Sequence, residues 1–182
     1  MAWQLTKTIA LVGLMGAGKT AVGTAVAGRL GVPFLDTDQE IERAASMTIS
    51  EIFERDGEAF FREKEEQVLR RLMSGPSVIL GTGGGAYLRD SNRAIISETG
   101  VALWLKADLP LLWSRIKHKT TRPLLRTADP CLTLSKLLYA RDPCYAQAEF
   151  VTEAKAELSI DRMAERVIKT LADAPGSGLK TV

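Results

Sequence analysis

One short segment near the start of the chain constrains its fold more than any other. Residues 13–20 read Gly-Leu-Met-Gly-Ala-Gly-Lys-Thr and match the pattern G-x-x-x-x-G-K-[ST]. An apolar, β-rich run at residues 8–12 precedes the segment, and residues 20–30 follow it with helical spacing. A strand, a glycine-rich turn and a helix are the context that this pattern requires. The segment therefore predicts a phosphate-binding loop, or P-loop, rather than a merely structural glycine turn.

Each residue type in this loop suits the binding of a nucleotide. The glycines let successive backbone N–H groups turn toward phosphates, and the helix that follows adds the positive end of its dipole. Lys19 would reach the β and γ phosphates and take part in catalysis, and the Thr20 hydroxyl would bind Mg²⁺. The expected cofactors are therefore ATP and Mg²⁺. The residues predicted to hold the nucleotide are Gly13, Gly16, Ala17, Gly18, Lys19 and Thr20.

The rest of the chain alternates short apolar runs with stretches of helical spacing. Strands that are apolar on both faces indicate a parallel sheet covered on both sides. The predicted fold is α/β, a three-layer α/β/α arrangement with a five-stranded parallel sheet of the P-loop NTPase type. The predicted strands are residues 8–12, 34–35, 78–80, 101–105 and 150–151, and residues 156–160 compete for the last place. The predicted helices are residues 20–30, one that begins near 36–38, two pieces within 49–72 around Gly57, and 88–98, 109–116, 132–148 and 161–171.

Length and composition limit the kinds of protein that this chain can be. A chain of 182 residues suits one domain, which we expect over residues 1–174, followed by a flexible tail at 175–182. The net charge of +2 gives no broad positive field of the kind that nucleic-acid binders carry. The apolar runs are strand-sized and fall well short of the roughly 20 residues of a membrane helix. We therefore expect no nucleic-acid or membrane partner.

The cysteines and the first residues bear on location. The two cysteines, Cys131 and Cys144, lack any CxxC spacing, so neither a zinc site nor a disulfide framework is indicated. The first seven residues show no basic region followed by an apolar one, as a secretory signal would. We expect a cytoplasmic monomer that acts on a small molecule.

Two aspartates are the candidates for metal and acid–base chemistry. The third predicted strand ends Leu80-Gly81-Thr82, without the acid that commonly serves the metal in P-loop proteins. Asp36 and Asp38 instead close the second strand, and in a strand register both carboxylates would point to the same side. One could serve the metal and the other a substrate hydroxyl. The structural alternative for Asp38 is to cap a helix.

Three arginines form a candidate cation set: Arg62, Arg122 and Arg141. Most arginines are simply solvated, but Arg122 lies in a basic stretch that begins at Lys117 and is flanked by prolines. This composition predicts a lid at about residues 117–130 that closes over phosphates and excludes water. His118, the one histidine, is interpreted as a surface residue of the lid.

Taken together, these motifs resemble those of the shikimate kinase family, which belongs to the nucleoside monophosphate kinase-like group of P-loop proteins. The resemblance covers roughly residues 8 to 150. It depends on the loop GLMGAGKT, Asp36-Thr37-Asp38, Phe61-Arg62 with Glu65, Gly83-Gly84-Gly85, Arg122-Pro123-Leu124-Leu125, and Arg141 with Tyr145. Residues 159–164 depart from the family, because they lack the proline of its adenine-contacting loop, so the resemblance does not extend to a base contact by Arg162.

The resemblance implies transfer of the γ-phosphate of ATP to the 3-hydroxyl of shikimate, in aromatic amino acid biosynthesis. Asp38 would lie near that hydroxyl and act in catalysis, and two arginines would hold the carboxylate, which suits their planar guanidinium groups. The implied shikimate-binding residues, in a helical region at about 37–72 and beyond it, are Asp38, Arg62, Gly83, Gly84, Gly85 and Arg141. Other implied roles are Asp36 as a metal partner through water, Arg122 as the catalytic lid arginine at the phosphates, Arg115 as the arginine stacked on adenine, and Phe53, Phe61 and Leu124 as apolar walls.

Three other functions are possible for a chain with a P-loop. A P-loop kinase of another hydroxylated acid, such as gluconate, would share the loop, but the paired aspartates, triple glycine and two arginines favour shikimate. A GTP-dependent switch would need an Asn-Lys-x-Asp segment, and the sequence has none. A nucleotide-binding module without catalysis is disfavoured because Lys19, Thr20, Asp36, Asp38 and Arg122 are all present.

Overall fold

A parallel β-sheet organises the chain, whose computed structural model describes residues 1–119 and 123–182. The sheet has five strands in the order β3-β4-β2-β5-β6, and every neighbouring pair is parallel. The prediction of a five-stranded parallel sheet is therefore confirmed. The strands are β2 (Ile9–Val12), β3 (Phe34–Asp36), β4 (Ile79–Gly81), β5 (Val101–Lys106) and β6 (Phe150–Glu153), while β1 (Trp3–Leu5) and β7 (Leu179–Thr181) lie outside this sheet.

Seven α-helices accompany the sheet within the described residues. Helices α1 and α7 pack against each other, α3 packs against α4, and α5 packs against α6. Strands β2 and β5 lie in the middle of the sheet, and their side chains are buried on both faces, as the apolar runs predicted. The helices are α1 (Lys19–Leu30), α2 (Thr37–Ala45), α3 (Ile49–Met73), α4 (Asp90–Thr99), α5 (Leu109–Ile116), α6 (Pro130–Tyr145) and α7 (Ile160–Ala172).

The parallel arrangement brings several loops to one edge of the sheet. The carboxyl ends of β2, β3 and β4 lie side by side there, because the three strands are neighbours and run in the same direction. The P-loop leaves β2, Asp36 ends β3, and the triple glycine follows β4. A ligand-binding crevice commonly forms at this edge of such sheets.

The structure corrects the bounds of two expected helices and confirms an expected interruption in a third. Helix α4 begins at Asp90 rather than at residue 88, because Ala86–Leu88 form a tighter 3₁₀ turn. Helix α6 spans Pro130–Tyr145 rather than 132–148, with Asp129 capping its start through the N–H of Leu132. In α3 the backbone at Gly57 is not helical, with φ 83° and ψ 173°, so the expected interruption is present. The last sheet strand is Phe150–Glu153, and residues 156–160 do not compete with it.

The prediction of a flexible tail at residues 175–182 is wrong. Residues Leu179–Thr181 form strand β7, which pairs antiparallel with β1 at the other end of the chain. Leu179 is buried, and the Ser177 hydroxyl donates a 2.6 Å hydrogen bond to the carbonyl of Leu171. The sequence shows no signal for this pairing because each strand has only three residues and their partners are at opposite ends of the chain. Within the described residues, no helix is long and apolar enough to cross a membrane.

Candidate active site

The P-loop wraps tightly around the start of α1. Gly16 has a φ of +84°, and a Cβ added there would stand 2.8 Å from Cγ2 of Ile116, so both conformation and space require glycine. Lys19 is the first residue of the helix and folds back over the loop. Its Nζ donates hydrogen bonds to the carbonyls of Gly13, at 2.5 Å, and Leu14, at 3.3 Å. The ammonium group is thus held inside the loop that it is predicted to serve.

A cavity of about 580 Å³ opens above the P-loop. It extends from the start of α1, across the ends of β3 and β4, to the start of α7. The structure thereby brings together most of the predicted site residues from four separate parts of the chain. The predicted residues that line it are Gly16, Gly18, Lys19, Thr20, Asp36, Asp38, Gly83, Gly84 and Arg115.

Asp36 and Asp38 both face this cavity, but the prediction that they do so because they share a strand is wrong. Strand β3 ends at Asp36, and Asp38 lies in the first turn of α2, so the two residues do not share a strand register. It is Asp36 that caps the helix, because its Oδ1 accepts a 3.1 Å hydrogen bond from the N–H of Gln39. The capping role that was the structural alternative for Asp38 is therefore filled by Asp36.

The environment of Asp38 favours its protonated form. Burial raises the pKa of its carboxyl from 3.8 to about 6, and the nearby charges of Asp36 and Glu65 add to the rise. Lys19 and Arg62 act in the opposite direction and do not cancel it. A carboxylate with this pKa is charged at neutral pH and is close to the range in which it can accept a proton efficiently.

Each residue of the triple glycine lies against a different predicted substrate-binding side chain. A Cβ added at Gly83 would stand 2.7 Å from Oδ1 of Asp38, and one at Gly84 would stand 3.4 Å from Nη1 of Arg141. A Cβ at Gly85 would stand 2.6 Å from Nη2 of Arg62. The loop therefore brings one carboxylate and two guanidinium groups to three consecutive residues.

Arg62 is held in place by a buried acid. Its Nη1 lies 2.9 Å from Oε1 of Glu65, whose side chain is only 1% exposed. Burial raises the pKa of the Glu65 carboxyl, and the charge and hydrogen bond of Arg62 oppose that rise. The carbonyl of Arg62 also accepts a 3.0 Å hydrogen bond from Arg89, a residue that no sequence motif marks. The guanidinium and the main chain of Arg62 are therefore both fixed, which favours precise contact with an anionic ligand.

Arg115 contacts the P-loop directly. Its Nη1 donates to the carbonyl oxygens of Gly16, at 3.0 Å, and Ala17, at 3.1 Å. These bonds tie the end of α5 to the loop, and they leave the predicted stacking of Arg115 on adenine as a prediction. Arg122, predicted to meet the phosphates, lies outside the described residues, as do residues 120 and 121 of the predicted lid.

The predicted apolar walls have different environments. Phe61 is buried and lies 4.9 Å from Phe53, centroid to centroid, and the Arg62 guanidinium lies 5.1 Å from the Phe61 ring. Phe53 and Leu124 are partly exposed, at 38% and 51%. Their contact with substrate remains a prediction.

One side of the cavity was not predicted from the sequence. Leu158, Ile160 and Met163 line it at the start of α7, and Lys119 lines it after α5. Arg162, by contrast, is exposed and does not line the cavity. No pattern marks these apolar residues as binding residues, because their spacing is equally that of a helix start packing on its own core.

The oxygen donors of the cavity suit a magnesium ion. Thr20 offers a hydroxyl and Asp36 a carboxylate, and both line the cavity beside Lys19. In the described part of the chain, no cluster of three or more His, Cys, Asp or Glu could by itself hold a metal. Mg²⁺ is commonly bound by one or two protein oxygens together with phosphates and water, so this sparse set fits it.

Comparison with known proteins gives a consistent result. A family model described as shikimate kinase matches residues 15–172. A shikimate kinase of Ruegeria pomeroyi is 60% identical over 168 residues, which cover 92% of this chain and 86% of the relative. The structure of shikimate kinase from Acinetobacter baumannii in complex with shikimate aligns with a TM-score of 0.83 and 39% identity, covering 90% and 91% of the two chains. The shikimate kinase structure from Bacteroides thetaiotaomicron has the same TM-score and 33% identity, covering 93% and 99%.

Proposed function

Since the chain belongs to the shikimate kinase family, it is a kinase of the shikimate pathway that uses ATP to phosphorylate shikimate, and we propose how its own residues divide this work. The observation that supports the proposal is the shared cavity, which has the P-loop at one end and Asp38 with the glycine loop beside it. The phosphoryl donor and the acceptor hydroxyl can therefore meet in one shared cavity. The 3-hydroxyl is the acceptor that we assign.

The P-loop holds the phosphates of ATP. Its N–H groups and Lys19 offset the negative charge that spreads over the γ-phosphoryl group during transfer. Thr20 and, through water, Asp36 would hold Mg²⁺, which supplies further positive charge when it is bound. Leu158, Ile160 and Met163 offer an apolar surface for the adenine ring at the far side of the cavity.

Asp38 prepares the shikimate hydroxyl. Its carboxylate is charged at neutral pH, yet its raised pKa of about 6 suits it to accept the proton that the hydroxyl loses as the new P–O bond forms. Gly83 permits this position, because any larger residue would meet the Asp38 carboxylate. The proton therefore passes to a group whose place is set by the glycine loop.

Arg62 and Arg141 bind the carboxylate of shikimate. They come from α3 and α6 and reach neighbouring residues of the glycine loop, Gly85 and Gly84. Two planar guanidinium groups match a planar carboxylate in geometry and charge. Binding of the carboxylate end turns the ring so that a hydroxyl faces Asp38.

Three expectations continue as proposals: that Arg122 closes onto the phosphates as part of a lid, that the protein acts as a monomer, and that it acts in the cytoplasm. Size-exclusion chromatography with light scattering measures the mass in solution and so tests whether the protein is a monomer. A mass of about twice 19.8 kDa in dilute solution would show that the protein is a dimer and not a monomer.

The test of the proposed function is ADP release in a coupled assay, with shikimate compared with a panel of hydroxylated acids that includes gluconate. We expect turnover with shikimate and product that carries phosphate on the 3-hydroxyl, as read by phosphorus NMR. Asp38→Asn should reduce turnover and shikimate binding but spare ATP affinity, whereas Asp36→Asn should raise the Mg²⁺ requirement. Equal effects of the two variants across a Mg²⁺ titration would contradict the division of labour.

A further inference from the structure

Tyr145 occupies a buried position next to Arg141. It is the last residue of α6, one helical turn after Arg141, so the two side chains share a face of the helix. The ring of Tyr145 is only 1% exposed and lies 6.1 Å from that of Trp104, centroid to centroid. A buried hydroxyl at such a position needs hydrogen-bond partners.

The partners of this hydroxyl are the glycine loop and Arg141. The hydroxyl donates a 2.6 Å hydrogen bond to the carbonyl oxygen of Gly84. Burial raises the pKa of the hydroxyl, and the charge and hydrogen bonding of Arg141 oppose the rise. A carbonyl oxygen can only accept and a guanidinium can only donate. Tyr145 therefore donates to Gly84, and Arg141 lies beside the same residue, with its Nη1 3.4 Å from the position of a Cβ added at Gly84. A hydrogen bond between Arg141 and Tyr145 has only one possible direction, from the guanidinium to the hydroxyl oxygen.

We propose that Tyr145 is a positioning residue for substrate binding, whose hydroxyl holds the Arg141 guanidinium against Gly84 so that it meets the shikimate carboxylate. The proposal rests on the role given above to Arg141. In addition, the Arg141 guanidinium would already be held in its binding position before the substrate binds. A long arginine side chain loses much rotamer freedom when a ligand fixes it, and a preformed contact reduces that loss.

The same hydroxyl sets the orientation of the glycine loop. Its bond to the Gly84 carbonyl directs that carbonyl toward Tyr145, and the N–H of Gly85 in the same planar trans peptide points the opposite way. Gly83 is fixed separately, because its N–H donates a 3.0 Å hydrogen bond to the hydroxyl of Thr37. Tyr145 thereby links the loop to the arginine that binds beside it.

The variant Tyr145→Phe tests the proposal, because it removes the hydroxyl and keeps the buried ring. We expect KM for shikimate to rise about 10-fold, as for the loss of one hydrogen bond, with KM for ATP unchanged. An analogue with a hydroxymethyl group in place of the carboxylate should be used equally well by wild type and variant. The matched control is Tyr139→Phe, which removes a hydroxyl from the same helix at a residue 88% exposed. It should behave as wild type.

Two further measurements separate positioning from general disruption. In a double-mutant cycle, Tyr145→Phe should add little to Arg141→Lys, because both act on one contact. A Tyr145→p-aminophenylalanine variant keeps a donor for the Gly84 carbonyl but accepts poorly from Arg141, so it should keep the raised KM with an unchanged melting temperature. It also serves if Tyr145→Phe folds badly.

The outcomes are distinct. Additive effects in the cycle, wild-type KM in the p-aminophenylalanine variant, or an equal loss with the analogue lacking the carboxylate would each overturn the role of Tyr145. If Arg141→Lys itself leaves KM for shikimate unchanged, the proposed carboxylate contact of Arg141 is wrong instead.

Discussion

Gly83 leaves no room for a side chain beside Asp38, since a Cβ there would stand 2.7 Å from Oδ1 of the aspartate. The two residues are separated by most of α2, all of α3 and strand β4. Their contact joins the helical region to the glycine loop, and it places the carboxylate with the raised pKa against main chain.

Gly83→Ala should displace the Asp38 carboxylate and lower kcat/KM for shikimate by ~10-fold or more, because a misplaced reacting group loses much of its effect. ATP affinity should change little. Gly28→Ala in α1 is the control, because a Cβ there meets nothing within 4 Å and alanine favours a helix. Steady-state kinetics of both variants provide the comparison, and equal kcat/KM in the two would contradict the prediction.

Asp38 should lower the stability of the protein at neutral pH. Because folding raises its pKa from 3.8 to about 6, the folded state binds this proton more tightly than the unfolded state. Its contribution to stability is therefore fully present below the unfolded pKa and is lost as pH rises through the folded pKa. Asp38→Asn should gain stability over wild type as the pH rises from about 4 to about 8.

Urea unfolding at about pH 4 and about pH 8 measures the difference in the free energy of unfolding between Asp38→Asn and wild type. Glu157→Gln, at an exposed position, serves as the control and should show no comparable gap. A gap between Asp38→Asn and wild type that narrows with rising pH would mean that the carboxyl pKa is not raised by folding. In wild type, kcat/KM for shikimate should also fall below about pH 6 as Asp38 is protonated.

Lys19→Ala should reduce phosphoryl transfer by several orders of magnitude, because its charge at the migrating phosphoryl group has no replacement in the loop. The fold should persist, as judged by circular dichroism. Lys169→Ala is the control, since its ion pair with Asp173 joins two well-exposed side chains. Turnover near that of wild type in folded Lys19→Ala would refute the P-loop assignment.

Arg62→Lys should weaken shikimate binding by about 1.5 to 3 kcal/mol, the range for a hydrogen bond to a charged group. Lysine keeps the charge that pairs with buried Glu65 but loses the planar fork. Arg70→Lys, on the same helix and 60% exposed, should bind as wild type. Titration calorimetry with shikimate gives both affinities, and identical values for the two variants would show that Arg62 makes no forked contact.

Leu179→Ala should lower the free energy of unfolding by about 2 to 4 kcal/mol, as expected when a large buried side chain is removed. Leu179 is 6% exposed, whereas Val182 is 71% exposed, so Val182→Ala is the control. Chemical denaturation measures both. If Leu179→Ala lowered the free energy of unfolding no more than Val182→Ala does, the result would favour a flexible tail over strand β7.

The local features of the fold could be predicted because their signals lie within a few neighbouring residues. The P-loop is one: eight consecutive residues contain the glycines, the lysine and the threonine, and the strand and helix on either side follow from their own periodicity. The alternation of apolar runs and helical stretches likewise predicted the parallel sheet. The pairing of β1 with β7 could not be found this way, because no local pattern connects the two ends of the chain.

The chemical groups of this protein and the folding of most of its short segments follow from local sequence, since propensity, glycine conformation and hydrophobic period act over a few neighbouring residues. Local sequence does not show that Arg62, Asp38 and Arg141 meet at three successive glycines, or that Tyr145 reaches Gly84, because these contacts exist only in the folded chain. The raised pKa of Asp38 belongs to this second group as well. The physical reason is that burial and electrostatic interaction depend on distances in space, and packing brings together residues that the chain keeps far apart.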